Sequence, residues 1–463
     1  MKTRTESDSI GSLEIDEDVY YGVQTLRAKQ NFSITKRGII DEFIINLAMI
    51  KKAAAISNMG AGLLQKDKAD AIIQACDEVM EGKFMKYFIT DQIQGGAGTS
   101  MNMNMNEVVA NRANEILGGK LGAYDLVHPN DHVNMAQSTN DVIPTAGKMT
   151  TLTLLAPLYK EMEKLHTALS EKAIAFKDIL KMGRTQLQDA VPMTLGNTFE
   201  SYATMIERCM ERIRNASKEM TIINLGGTAI GSKINASGYY EEHIVENLNK
   251  FFFVKLYQAK DLFDATENLD SFVEVSGSMK ALASSLSKMC NDLRLLSSGP
   301  RCGFNEINLP AMQNGSSIMP GKVNPVIPEV VTQACYLVMG HDVTITMAAE
   351  AGQMELNAFE PIIFSQLFES IQALTGALNT LTIHCIQGIT ANKEHCLELE
   401  KSSLGIVTAL APYLGYKESA HIAKKALKEN KSIEDVVLEE NLMSKEKLES
   451  ILNEAIEETK KVF

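Results

Sequence analysis

Gly315-Ser316-Ser317-Ile318-Met319-Pro320-Gly321-Lys322-Val323-Asn324-Pro325 puts two hydroxyls, a cation and an amide into one short stretch of a 463-residue chain. Two glycines and an internal proline keep it from forming a regular helix, so the backbone runs irregularly while carrying reactive side chains. Asn324-Pro325 reads as the N-cap and first turn of a new helix, because an Asn side chain accepts an orphan N–H and proline needs no partner there. The positive end of that helix, with Lys322, would hold a carboxylate or a developing oxyanion beside Ser316 and Ser317. Each residue alone would suit a capped surface turn; together they point to anion chemistry.

Three further polar stretches lie upstream. Gly95-Gly96-Ala97-Gly98-Thr99-Ser100 leads into Met101-Asn102-Met103-Asn104-Met105-Asn106-Glu107. The Met/Asn alternation mimics a strand, but the pattern continues helically to Ala113 without a turn signal, so a helix starting near Thr99 and Ser100 is expected. No GxxxxGK[ST] follows, which excludes a phosphate loop. His128-Pro129-Asn130-Asp131-His132 invites a metal reading, yet Pro129 argues against both histidines sharing a helical turn, and spacing places no third ligand. No metal is expected. Ser138, Thr139, Asn140 and Asp141 crowd the next helix start, where one cap would suffice, and the surplus donors suit a ligand anion. Met182-Gly183-Arg184-Thr185-Gln186-Leu187-Gln188-Asp189-Ala190-Val191-Pro192-Met193 is the remaining candidate, bracketed by glycine and proline.

Long helices must position these loops. Ile45, Met49, Ala53, Ile56 and Met59 recur at three and four residues, as do Leu155, Leu158, Met162, Leu165 and Leu169. Phe199 to Ile223, Val275 to Leu296, Pro325 to about Ala349 and Phe364 to Leu381 give four more such segments. From Leu155 on these are five helices of roughly 25–35 residues, each ~40–50 Å long, most economically packed as a near-parallel bundle with the Met and Leu stripes as its core. The opening segment around Val19-Tyr20-Tyr21-Gly22 has no clean periodicity, and its fold stays open. Beyond Asn392 the composition turns rich in Lys and Glu, and Ser432-Ile433-Glu434-Asp435 has capping-box form.

Composition narrows the function classes. Hydrophobic content of 45% with 22% charge is that of an ordinary globular protein, and no run approaches the ~18 apolar residues of a membrane span. A net charge of −13 without a basic cluster disfavours nucleic acid and anionic membrane. Seven scattered cysteines show no CxxC pair and read as reduced, mostly core thiols, and with a polar N-terminus the expected location is the cytoplasm.

The signature at 315–325 resembles that of the aspartase/fumarase superfamily, whose members add or remove a small group across a carbon–carbon double bond next to a carboxylate. The upstream motifs are similar to the superfamily's too, in the same order, over essentially the whole chain. Gly-Ala-Gly-Thr-Ser at 96–100, Gln-Ser-Thr-Asn-Asp at 137–141 and Val326-Ile327-Pro328-Glu329 resemble the aspartate ammonia-lyases more than the fumarases. Gln186 stands where fumarases carry a site histidine and weakens any mechanism that needs one there. The resemblance implies an all-α, three-domain fold with a central five-helix bundle that assembles into a tetrameric helical core. The domains expected are 1–140, 141–392 and 393–463. A bundle ~45 Å long keeps its ends apart, so one subunit would not close a site alone, and the resemblance implies that each site draws loops from three subunits.

The chemistry implied is reversible deamination of L-aspartate to fumarate and ammonia, by anti elimination through an aci-carboxylate. Class II fumarate hydratase chemistry on L-malate is the alternative, and a non-catalytic helical scaffold a third reading. By resemblance Ser316 is the general base. An ordinary serine is far too weak for that, so it must act as an alkoxide stabilised by loop N–H groups and Lys322, or on closure of a loop that excludes water. Thr99, Ser138, Thr139 and Ser317 would hold the β-carboxylate, and Thr185, Lys322 and Asn324 the α-carboxylate. Asn140, with Thr99, would face the amino group, and Gln186 would line the pocket. His128, Asn130 and Asp131 resemble a secondary anion pocket of relatives. No cofactor is required, activation by Mg2+ is left open, and a small-molecule substrate and a homotetramer are the partners implied.

Overall fold

The computed structural model describes residues 2–460. The unassigned opening segment is a hairpin, β1 (Thr3–Asp8) and β2 (Gly11–Asp16), antiparallel with Thr3 opposite Asp16. Its turn is closed by Asp8, whose carboxylate accepts from the N–H groups of Ile10 and Gly11, a local bond that periodicity does not register. Then come α1 (Val23–Asn31), α2 (Asp41–Gly60), α3 (Lys66–Met80), α4 (Thr99–Ile116) and α5 (Thr139–Ala175). A second hairpin, β3 (Leu180–Thr185) and β4 (Gln188–Thr194), precedes α6 (Leu195–Ala216), and a minimal parallel pair, β5 (Ile222–Ile223) and β6 (Tyr257–Gln258), flanks α7 (Gly238–Leu248). The chain continues through α8 (Asp264–Glu267), α9 (Asp270–Leu296), β7 (Ile307–Asn308), α10 (Val326–Glu350), α11 (Glu360–His384) and β8 (Thr390–Ala391), which pairs with β7. It ends in α12 (Lys393–Ser402), α13 (Val407–Leu414), α14 (Tyr416–Glu429), α15 (Ile433–Glu439) and α16 (Lys445–Lys460). The mainly helical class is as expected.

The five long helices α5, α6, α9, α10 and α11 have 37, 22, 27, 25 and 25 residues. Helix α6 stops short of its apolar stripe, which runs on through a 3-10 turn at Ser217–Thr221. Helix α5 contains Pro144, whose missing N–H would strand the carbonyl of Asn140 one turn earlier. Asn224 Nδ2 donates to that carbonyl at 2.9 Å, so the break is repaired by a side chain from a distant loop. Helix α4 is buried on every side from Met101 to Asn111. Alternating Met and Asn suits that position, since the amides bond inward: Asn104 Nδ2 reaches Tyr87 O at 2.9 Å and Asn111 Nδ2 reaches Tyr20 O at 2.8 Å.

Two compact units emerge. The first is the chain up to Leu158 with Glu211–Ala281 and Leu337–Ala373; the second is Tyr159–Met210, Leu282–Tyr336 and the chain from Leu374. In the first unit Phe364 sits 5.9 Å from Phe43 and 5.4 Å from Phe272, joining α11 to α2 and α9, and Gly147 on α5 leaves room for its ring. In the second unit Phe176 and Phe199 meet at 5.3 Å beside α5 and α6, Tyr202 on α6 donates to Asp292 on α9 at 3.1 Å, and Asn379 on α11 donates to Glu161 on α5 at 3.0 Å. Arg294 on α9 lies 3.9 Å from Glu329 on α10, so the long helices run as neighbours there. The C-terminal helices close over Leu410, Ile422, Val436, Val437 and Leu448, and Ser432 caps α15 by accepting from Asp435 N at 3.1 Å. Among the described residues no helix is long and apolar enough to cross a membrane.

Candidate active site

In the first unit the glycine loop turns into α4 at Gly98. Its φ of 82° is left-handed, and an added Cβ would stand 2.8 Å from Ile143 Cγ2, so only glycine fits. Thr99 follows, exposed, with its hydroxyl donating to Gly96 O at 2.7 Å. Having used its proton, Thr99 offers lone pairs outward, which suits a substrate ammonium better than a carboxylate.

The next helix start is more telling. Ser138 Oγ accepts from Asn140 N at 3.2 Å, and Thr139 Oγ accepts from Asn102 Nδ2 at 3.1 Å. Both hydroxyl protons are therefore left to point elsewhere, and neither makes a bond among the described residues. Asn140 donates its Nδ2 to Ala229 O at 2.7 Å, which leaves Oδ1 as a bare acceptor. Three consecutive half-buried residues thus present two donors, as a carboxylate needs, and one acceptor, as an ammonium needs.

Asp141, counted from sequence among the surplus polar groups, is fully buried. Its carboxylate accepts from Ser138 N at 2.9 Å and from Gly226 N and Thr228 N at 3.1 Å each, pinning the turn to the 226–228 loop. Burial pushes its carboxyl up to about 6, against those three N–H bonds and the neighbouring Lys51.

In the second unit Thr185 and Gln186 sit at the tip of the β3–β4 hairpin, exposed, with Thr185 paired to Gln188. Gln186 and Leu187 form the two-residue turn at φ of 54° and 62°, a left-handed pair that β-hairpins usually fill with Asn-Gly. The hairpin is anchored beneath its tip. Arg184 Nη1 donates to Glu306 Oε1 at 2.6 Å and Lys181 Nζ lies 3.2 Å from Glu306 Oε2, while the guanidinium stacks 4.3 Å from the Phe304 ring.

The signature loop closes on itself at its neck. Gly315 N donates to Lys322 O at 2.9 Å, and Asn324 Nδ2 donates to Gly315 O at 2.7 Å. This corrects the expected helix cap. Helix α10 begins at Val326, and the Asn324 side chain ties the loop instead of capping. The cap has little left to satisfy: Val326 N already donates to Asn324 O at 2.9 Å, and Pro328 in the first turn has no N–H. Ser316 Oγ accepts from Ile318 N at 3.2 Å and Met319 N at 3.0 Å. Two N–H groups aimed at one serine oxygen favour its anionic form, the direction a basic serine requires. Ser317 and Lys322 are exposed, and neither side chain bonds among the described residues.

The candidates therefore fall into clusters within each unit: Thr99 with Ser138, Thr139 and Asn140 through the helix that carries Asn102, and Ser316, Ser317, Lys322 and Asn324 in one closed loop. Among the described residues no hydrogen bond joins Thr185 or Gln186 to that loop. Asn102 and Lys51 support the first cluster and Glu306 the hairpin, and all three went unassigned in the sequence; a signal, the Asn row inside a mostly apolar helix, existed for Asn102 alone. His128 caps a single π-type turn, Pro129–Val133, that contains His132, and the His128 backbone N–H donates to His132 Nδ1 at 2.8 Å. Pro129 fits because it takes the first position, where no N–H is required. His132 Nε2 faces Lys68 Nζ at 3.1 Å, and His128 Nδ1 accepts from Asn130 N and Asp131 N at 3.2 Å each, so these nitrogens are already engaged. Among the described residues three potential metal ligands converge within 4.8 Å only at Glu418, His421 and Glu440, where Lys425 already pairs with Glu440.

A family model described as lyase matches residues 11–340, and one described as fumarase C C-terminus matches residues 406–455. An aspartate ammonia-lyase of Helicobacter pylori is 51% identical over 97% of this chain and 96% of its own, and that of Escherichia coli K12 is 48% identical over 97% and 95%. The crystal structure titled fumarate lyase:delta crystallin from Brucella melitensis superposes with a TM-score of 0.96 at 45% identity, covering 99% of this chain and 100% of that one. A class II fumarase from Schistosoma mansoni gives 0.94 at 34% identity, covering 97% and 98%. Matched over nearly its full length in sequence and in fold, the chain belongs to the lyase family that includes the aspartate ammonia-lyases and the class II fumarases.

Proposed function

We propose that this chain is an aspartate ammonia-lyase, a carbon–nitrogen lyase that interconverts L-aspartate with fumarate and ammonia. One observation carries the reading: Ser138, Thr139 and Asn140 offer two free hydroxyl donors beside one free amide oxygen, the complement of a carboxylate next to an ammonium. Removing the proton from the carbon that bears the β-carboxylate makes a dianionic aci-carboxylate, accessible only where fixed donors meet the developing charge. Ser138, Thr139 and Ser317 supply donors to that carboxylate, and Lys322 with Thr185 holds the other. Asn140 Oδ1 and the Thr99 oxygen receive the departing amine. Ser316 takes the proton, its oxygen polarised by the N–H groups of Ile318 and Met319.

The sites are completed in a homotetramer, with loops drawn from three subunits, and the protein works in the cytoplasm. Helix α10 supports the assembly: Val330 and Leu337, and Tyr336 and Val343, stand seven residues apart, Met347 follows four after Val343, and all five are exposed, Met347 at 67%. An apolar seam on one helix is the kind of surface that second copies cover. Buried, unpaired thiols at Cys76, Cys290 and Cys385 agree with a reducing compartment.

Ultraviolet appearance of fumarate from L-aspartate, run beside L-malate, is the test. Aspartate should be consumed and malate left untouched. Consumption of malate alone would assign the chain to fumarate hydration instead.

A further inference from the structure

Behind Thr139 lies a buried chain of amides that ends on a cation. Lys51, on α2 and wholly inaccessible, donates from Nζ to Asn134 Oδ1 and to Gln137 Oε1 at 2.9 Å each. Asn134 Oδ1 also receives Asn102 Nδ2 at 3.3 Å and Asn106 Nδ2 at 3.2 Å, while Asn134 Nδ2 donates to Gln137 O at 3.2 Å. The same Asn102 Nδ2 reaches Thr139 Oγ.

The direction of every bond in this chain is forced from one end. A backbone carbonyl can only accept, so Asn134 must turn Nδ2 to Gln137 O and Oδ1 to Lys51, whose Nζ donates there in either protonation state. Asn102 must then present its NH2 to Asn134 Oδ1. In that orientation Asn102 Oδ1 is buried without any partner, an arrangement that persists only because its donors are required. Thr139 Oγ, facing the same NH2, can only accept there. Its own proton has to point away from α4.

Resting on the reading of Thr139 as a carboxylate donor, we propose that Asn102 and Lys51 are positioning residues that hold the Thr139 hydroxyl with its proton toward the substrate. Neither touches substrate. Both act by excluding the opposite rotor, in which Thr139 would donate inward to an amide oxygen and meet a carboxylate with lone pairs.

The test reverses the polarity of one link. Asn102→Asp replaces the NH2 with an acceptor, which draws the Thr139 proton inward, and Asn102→Leu, free of any buried charge, removes the constraint. With L-aspartate, Thr139→Val and Asn102→Asp should each lower kcat/KM by about 10²-fold, the usual cost of one lost oxyanion donor. Asn102→Leu should lose less. Combining Asn102→Leu or Asn102→Asp with Thr139→Val should cost no more than Thr139→Val alone, and Lys51→Met should couple to Thr139→Val in the same way. General damage to the fold would instead add to the Thr139 loss. Additive losses, or near-normal activity in the Asn102 variants beside an impaired Thr139→Val, overturn the positioning chain and leave the site reading intact. An unimpaired Thr139→Val overturns the carboxylate role of Thr139, and the proposal with it.

Discussion

At Ser316 the structure supplies what the residue type alone lacks. A serine hydroxyl is a poor base, and two loop N–H groups at about 3 Å favour its anionic form only part of the way, so the proposed base role needs a closed site that strengthens those bonds and the pull of Lys322. Ser316→Ala should therefore lower kcat by ~10²–10⁴-fold, the range for a lost general base, while size-exclusion chromatography and circular dichroism stay unchanged. Near-normal turnover in a correctly assembled variant would remove Ser316 from that role. Lys322 is a cation without a partner among the described residues in a protein of net charge −13, and Lys322→Ala should raise KM and lower kcat together. Saturation at unchanged aspartate concentration would rule out the carboxylate contact. Both residues were legible in the sequence, because a Gly-Ser-Ser…Gly-Lys string has no use as a plain turn. What Asn324 does was not: its type suits a cap and a loop tie equally, and the choice depends on which orphan groups the fold leaves.

At the scale of elements, the hairpin that carries Thr185 depends on a buried charge cluster. Glu306 is fully buried between Arg184 and Lys181, whose side chains are 12% and 6% exposed. Removing one partner of a buried ion pair strands the other, here two cations, so Glu306→Ala should destabilise the protein by about 3–5 kcal/mol in denaturant titration and impair turnover through Thr185. A change under about 1 kcal/mol would mean that the cations find water or new partners. The long helices were readable from their apolar periodicity, including the termination of α10 near residue 349 and the helical outcome of the Met/Asn run. The Glu306 cluster was not readable, since Arg184 and Glu306 lie 122 residues apart and nothing in their spacing couples them.

For the molecule as a whole, burial of titratable groups makes stability depend on pH in a definite direction. Desolvation holds Lys51 down to about 7, well under the 10.5 of an exposed lysine, with Asp141 and Cys76 opposing. Between those values the unfolded chain binds more protons than the folded one, so the Lys51 contribution rises with pH through that window and its penalty is fully present below it. Asp141 runs the opposite way: raised from 3.8 to about 6, it contributes below the lower value and that contribution fades as pH rises through the upper one. Lys51→Met should flatten the gain in stability expected from pH 7.5 to 9.5, at most about 1.4 kcal/mol per pH unit, in urea midpoints measured across that range. An identical slope in the variant would show that other groups set it. The α10 seam belongs to this scale too: if the proposed assembly forms over it, Val343→Glu with Met347→Glu should lower the mass read by light scattering and abolish activity, and an unchanged mass would remove the seam from the interface.

Residue order alone determined the helical class, the five long helices and the family, and it marked the polar loops proposed to carry the chemistry, because periodicity and dense motifs are local signals that survive without a fold. Only the tertiary structure decided which hydroxyls remain free to donate, that Asp141 is a buried clasp and not a site group, that Asn224 repairs the break at Pro144, and that Lys51 lies at the root of an amide chain leading to Thr139. The reason is physical: a donor's direction depends on every partner around it, and those partners come from segments that sequence distance does not relate.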